Sequence, residues 1–346
     1  MRSLSSSPLA KRRWKNFKAN RRAFYSLIIF LILTIIASMA EFVANDKPLI
    51  ASYRGNIIFP IFSGAVTEDQ FGGDEGLIAQ YKDPAIQCLI ITGGFIDCYD
   101  APEIIIKNVR EGLIIDSDFH KGWMIWPIIP YSFNTINHDV VPAPGSPNKS
   151  HWLGTDDTTR DVMARVIYGF RISVGFAVVV VFVSSIIGII AGAVMGYFGG
   201  WIDLIFQRVV EIWSNIPSLY IIIIMSAIFS MSFTLLTVLV ALFSWTALVG
   251  VVRAEFLRAR NFEYVRAARA LGLSNFKIIF RHVLPNAMVA TITMLPFLFT
   301  GAIGSLTSLD FLGFGLPPSY PSLGELALQA KQNLHAPWLA FTAFVV

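Results

Sequence analysis

Cys88 and Cys98 are the only thiols in a chain of 346 residues, and the chemistry open to such a pair is a disulfide. A hairpin with a three-residue loop at Thr92-Gly93-Gly94 would set them directly opposite each other. A two-residue Gly-Gly turn would put them on opposite faces, and a helix at the start of the stretch is a further alternative. The spacing therefore permits the bond without requiring it. No other constellation suits covalent chemistry. His-Glu-x-x-His and Gly-x-Ser-x-Gly are missing, and no metal site is expected. Gly-x-x-x-x-Gly-Lys-Ser/Thr is missing too, so the sequence offers no phosphate cradle and no enzymatic activity of its own.

The most informative stretch runs from Asn261 to Pro285 and reads as helix, glycine stop, helix. Asn261 is a candidate N-cap with Glu263 in the first turn. Gly272 falls where a left-handed residue closes a helix, and Ser274 can cap the next one. Tyr264, Ala267, Ala268 and Leu271 share one face at helical spacing, apolar but small, with Arg266 and Arg269 on the other side. Such a face suits either a groove on another protein or a membrane surface with snorkelling arginines.

The elements that must position this loop are membrane helices. Only 14% of residues are charged against 55% hydrophobic, and mean hydropathy is +0.61. Soluble domains carry about 25% charged residues. No charge occurs in the 31 residues 172–202, the 41 residues 212–252, or residues 283–309. A helix needs about 20 apolar residues to cross a bilayer, so the middle stretch holds two spans, with their turn at Ser230-Met231-Ser232. Residues 24–40 form an earlier run, read as an uncleaved anchor or as a secretory signal ending at Ser38-Met39-Ala40; the long basic region before it favours the anchor. The run from Pro337 holds only ten residues, so the last span reads as incomplete or re-entrant.

Residues 1–23 hold eight Lys/Arg and no acid, and residues 253–285 hold seven Lys/Arg against Glu255 and Glu263. Both segments read as cytoplasmic by the positive-inside rule. Residues 41–160 hold sixteen acids against eight Lys/Arg and read as the opposite side, and the span parities agree. The net charge of +4 is thus a topology signal, and nucleic-acid binding is not expected. The empty spans also weaken the case for an ion-coupled carrier, which usually needs ionisable groups near the midplane. Gly188, Gly192 and Gly196 fall on one helix face, fit either for ordinary close packing or for a helix around a translocation path. Pro217 and Pro296 are expected to kink their spans, and Trp152, Trp201 and Trp338 fall near span ends. Thr155-Asp156 can cap an interfacial helix from about Thr158 to Tyr168, on which Asp161 and Arg165 can pair.

The 261–285 stretch resembles the EAA loop of permease subunits of bacterial ABC importers. That motif is an acidic-Ala-Ala triplet, a glycine four residues on, and a later Leu-Pro; Ala267, Ala268, Gly272, Leu284 and Pro285 match in register. Arg266 stands where the general motif has glutamate, which resembles the dipeptide/oligopeptide branch. Trp152-Leu-Gly-Thr-Asp156, Arg160-Asp-Val, Tyr168-Gly-Phe-Arg-Ile-Ser173, Gly196-Tyr-Phe-Gly-Gly-Trp-Ile-Asp203 and Leu309-Asp-Phe-Leu-Gly-Phe-Gly315 fit the same branch. Asn45-Asp-Lys-Pro-Leu49 and the extended segment after it resemble the subgroup that imports microcin C and related peptides.

The resemblance implies an all-α polytopic membrane protein of the bacterial inner membrane with about six spans. A basic tail (1–23), a first span (24–44), a periplasmic insertion of mixed or irregular structure (45–150) and a permease domain (151–346) would follow in order. It implies a second homologous permease, ATPase subunits that hold ATP and Mg, a periplasmic peptide-binding protein, and a coupling loop that docks on the ATPase. A self-contained channel or secondary carrier is the alternative.

Overall fold

A computed structural model describes residues 8–94, 98–113 and 121–345. The chain divides into two compact units, Met1–Arg171 and Ile172–Val346.

The first unit opens with α1 (Pro8–Ala19), α2 (Arg21–Ser38) and the short α3 (Ala40–Val43). Asn20 caps α2, its side chain accepting from the Ala23 N–H. A three-stranded antiparallel sheet follows in the order β2-β1-β3: β1 is Ile50–Tyr53, β2 Asn56–Ile58 and β3 Trp123–Ile125. Among the described residues, a 3-10 turn (Glu68–Phe71) and two α-helices lie between β2 and β3 in sequence. In α4 (Pro84–Thr92), Asp83 caps the start, Pro84 fills the first turn, and Gly93 ends the helix in the left-handed region at φ 69°. The next, α5 (Pro102–Glu111), is likewise bounded by Pro102 and Gly112. Ile86, Leu89 and Ile90 of α4 form a core with Phe71, Tyr81, Ile106 and Val109.

Cys88 lies on α4 rather than on a hairpin strand, and its sulfur is joined to that of Cys98. The helical alternative holds because Asp83, Pro84 and Gly93 bound a run whose side chains are buried on nearly every side. Burial pushes the Tyr81 hydroxyl up to about 12 and holds the Lys82 ammonium below its ordinary value. Lys82 Nζ sits 4.2 Å from the Tyr131 ring centre, which partly offsets that burial.

The expected helix over 158–168 is replaced by one long helix, α6 (Val162–Phe198), which carries the chain into the second unit. The turn before it is held by carboxylates. Asp156 accepts from the N–H groups of Thr158 and Arg160, and Arg160 Nε reaches it at 2.7 Å. Asp161 caps α6 by accepting from the Ala164 N–H, and its other oxygen lies 2.7 Å from His151 Nδ1. The guanidinium of Arg165 lies 3.5 Å from Asp156.

Among the described residues, every regular element of the second unit is a helix. α7 (Gly200–Ser214) and α8 (Ser218–Ile228) meet at a 60° bend at Asn215–Pro217, where proline removes a donor. Ser232 caps α9 (Phe233–Ser244), which continues past Trp245 as α10 (Thr246–Ala259). Then come α11 (Glu263–Ala270), α12 (Asn275–Ile278), a π-helical turn (Ile279–Val283), α13 (Leu284–Phe311), α14 (Leu323–Gln332) and α15 (Pro337–Val345). The wide turn lies directly before Pro285, whose ring would clash with the carbonyl four residues back in a regular helix. Pro296 lies inside α13 without ending it.

Among the described residues, four helices are long and apolar enough to cross a membrane: Arg21–Ser38, Val162–Phe198, Phe233–Ala259 and Asn275–Phe311. The bent pair α7–α8 makes a fifth if it counts as one span. These fall where the sequence places five of the expected spans, and the sixth, from Pro337, corresponds to the nine-residue α15.

Candidate functional site

The 261–285 loop forms its site from one short helix fixed to a core. Phe262, rather than Asn261, occupies the cap position of α11, and no side chain caps it. Asn261 instead gives its carbonyl to Arg266 Nε at 3.1 Å. Gly272 adopts φ 72°, which L side chains resist. Its N–H donates to the Arg269 carbonyl, and the Leu273 N–H donates to Ala268, the paired bonds that close a helix at a left-handed glycine. Ser274 takes the cap position of α12.

The structure splits the four residues of the expected apolar face. Tyr264, Ala267 and Leu271 are exposed, Leu271 at 81%. Ala268 is buried instead, together with Val265. Val265 adjoins it on the helix surface, so the pair turns inward onto Tyr197, Val252, Phe256, Ile278 and Val283. Sequence periodicity missed Val265, and its β-branched bulk beside two alanines was the available signal. Side-chain bonds reinforce the seat. Asn286 Nδ2 donates to the Tyr264 hydroxyl at 3.3 Å, and the Tyr197 hydroxyl donates to Asn275 Oδ1 at 2.8 Å. The Arg269 guanidinium lies 5.0 Å from the Tyr197 ring centre. Arg266 is exposed beyond its one bond to Asn261. Leu284 and Pro285 begin α13, with Leu284 packed at the edge of the same core and Pro285 exposed.

The three glycines of α6 meet α10 backbone to backbone. A Cβ at Gly188, Gly192 or Gly196 would lie 2.7, 2.8 or 2.5 Å from the carbonyl oxygens of Trp245, Val249 and Arg253 respectively. The Arg253 guanidinium in turn binds both oxygens of Asp203 on α7, at 2.6 and 2.7 Å. Val265 and Ala268 of α11 thus share one close-packed core with residues of α10 and the end of α6, and such packing transmits rather than absorbs strain.

On another side of the same unit, α8, α9 and α13 line a groove of about 470 Å³ that includes Ser218, Ile222, Val240, Gly301, Gly304 and Ser308. Unlike the α6 glycines, Gly301 and Gly304 have no atom within 4 Å of where a Cβ would stand.

Comparison with known proteins fits this geometry. Residues 184–346 match the family described as binding-protein-dependent transport system inner membrane component. Residues 7–57 match the N-terminal TM domain of oligopeptide transport permease C. The chain is 49% identical to the peptidoglycan transport system permease protein YejE of Agrobacterium fabrum, over 98% of this chain and 87% of that one. The chain belongs to the permeases of binding-protein-dependent ABC transporters. A second relative, the inner membrane ABC transporter permease protein YejE of Escherichia coli, is 46% identical over 98% of this chain and 91% of its own length. The dipeptide transport system permease protein DppC of Bacillus subtilis is 35% identical over 58% of this chain and 63% of its own. This permease is thus a multi-pass inner-membrane component of such a transporter and not its ATPase.

Proposed function

We propose that this permease carries peptides or peptide-like compounds, of the microcin C or peptidoglycan-fragment kind, inward by alternating access, driven by separate ATPase subunits. The exposed face of α11 carries the reading: Tyr264, Ala267 and Leu271 point outward on a helix whose inner side is locked by Val265 and Ala268. An ATPase groove that grips this face would move the helix as a lever. Binding and hydrolysis of MgATP belong to those partners, and the coupling runs through Tyr264, Ala267 and Leu271. The peptide class rests on the names of the YejE and DppC relatives and on the match of residues 7–57.

A second, homologous permease completes the pathway in this reading, and the open Gly301–Gly304 face of α13 is where close approach costs least. A periplasmic binding protein delivers the cargo. The N-terminus and the 261–285 loop lie in the cytoplasm, and residues 45–150 in the periplasm. A self-contained channel or carrier is the competing reading.

The test is Leu271→Asp in the reconstituted transporter. It places a charge on an exposed position and leaves the α11 core untouched. Loss of peptide uptake with normal membrane insertion is the expected result; uptake at the unaltered rate would overturn the coupling role.

A further inference from the structure

The sheet of the first unit has two unlike faces. Ala51 stands between Ile58 and Met124, and Ile58 and Met124 pack against the α4 core. On the opposite face Ser52 stands between Ile57 and Trp123, and Ile50 opposes Ile125. Ile57, Trp123 and Ile125 are 60, 44 and 49% exposed. A water-facing side of an antiparallel sheet normally alternates to polar residues, and this one carries a single serine and no charge.

The apolar surface does not stop at the sheet. Past β2 the chain turns at Phe59–Phe62, where the Phe62 N–H donates to the Phe59 carbonyl, and both rings are exposed. The Phe62 ring lies 5.9 Å from that of Phe42, which sits on α3 four residues after the membrane-crossing α2. Lys47 Nζ fastens this corner by donating to the carbonyls of Ser63 and Gly64. Exposed apolar side chains therefore run from the end of a membrane span through Phe42, Phe62 and Phe59 to Ile57, Trp123 and Ile125.

We propose that this sheet face rests on the lipid bilayer that α2 crosses, its aromatic and branched side chains dipping into the boundary between headgroups and acyl chains. Two observations select lipid as the occupant. The patch adjoins the end of α2, a helix long and apolar enough to cross the membrane, and its composition of Trp, Phe and Ile without charge is that of interfacial anchors. The sheet then acts as a foot that fixes the 45–150 segment against the membrane, whatever compound the transporter carries.

The experiment uses the assembled transporter in nanodiscs of phosphatidylethanolamine and phosphatidylglycerol. Ile57→Cys and Ile125→Cys are labelled with the polarity-sensitive dye NBD, with Ile104→Cys, exposed on α5, as the reference. Cys88 and Cys98 are bonded to each other and take no label. The expected result is blue-shifted emission at residues 57 and 125, quenched by doxyl-labelled lipid and protected from aqueous iodide, while residue 104 is quenched by iodide. Iodide quenching equal to that at residue 104 would overturn the proposal. So would blue-shifted emission without doxyl quenching, which means that a protein covers the face. If the cysteine variants fail to assemble, the unaltered chain is irradiated with a photoactivatable phospholipid. Lipid adducts on the peptide holding Trp123 and Ile125 support the proposal, and their absence there with adducts on α2 defeats it.

Discussion

At Gly188, Gly192 and Gly196 the decisive quantity is the space for one carbon atom. Each hypothetical Cβ falls inside 3.0 Å of an α10 carbonyl, so neither backbone can yield without parting the helices. Gly192→Leu should destabilise the purified permease by about 1–3 kcal/mol or more, the usual penalty of overpacking, seen as a lower melting temperature in detergent. Gly304→Leu, with open space around it, should leave that temperature nearly unchanged and weaken only assembly with the second permease, measured by co-purification. At Gly272 the constraint is conformational. Gly272→Trp forces an L side chain to φ 72° and should unseat the closing bonds of α11. The expected outcome is ATP hydrolysis without uptake in a protein that still inserts in the membrane; peptide-dependent uptake at the normal rate would contradict it.

Among elements, the start of α6 shows how buried charge can be held. Arg160 and Arg165 converge on Asp156, which is fully buried, while Asp161 is held by His151 and the Ala164 N–H. Removing one partner of a buried pair leaves the other charge uncompensated. Asp156→Ala should therefore cost about 3–5 kcal/mol and appear as early protease cleavage near residues 137–160. In the sequence, Thr155-Asp156 reads as the cap of a helix from about Thr158, whereas the helix starts at Val162 and Asp161 caps it. Helical spacing sets Asp161 and Arg165 on one face, yet it is blind to His151, brought to Asp161 from the preceding loop. The cysteine pair makes the same point. Its spacing allowed a strand hairpin or a helix, and the burial of Cys88 on α4 selected the helix. Thiol labelling of unreduced, denatured protein should find no reactive cysteine, and Cys88→Ala with Cys98→Ala should weaken the 45–150 segment by about 2–3 kcal/mol in protease resistance.

For the whole molecule, the spans contain few ionisable groups, and Asp203 and Arg253 neutralise one another at two bonds. Such an arrangement weakens the case for a proton or sodium relay near the midplane. The chain alone in liposomes should transport nothing under an ion gradient, while the assembled transporter with MgATP and a periplasmic binding protein should accumulate peptide. Gradient-driven flux through the isolated chain would support the carrier reading instead.

The sequence alone determined that the chain is a membrane protein and where its apolar spans fall, and it singled out the 261–285 loop, because charge placement, hydropathy and the Gly272 stop are local properties read within a few turns. It left open which side of each element faces what. Only the tertiary structure turned Ala268 and Val265 inward and Leu271 outward, set the α6 glycines on α10 while leaving Gly301 and Gly304 open, and gave the small sheet an uncovered apolar face. Those facts depend on helix rotation and on partners distant in the chain, and periodicity constrains neither.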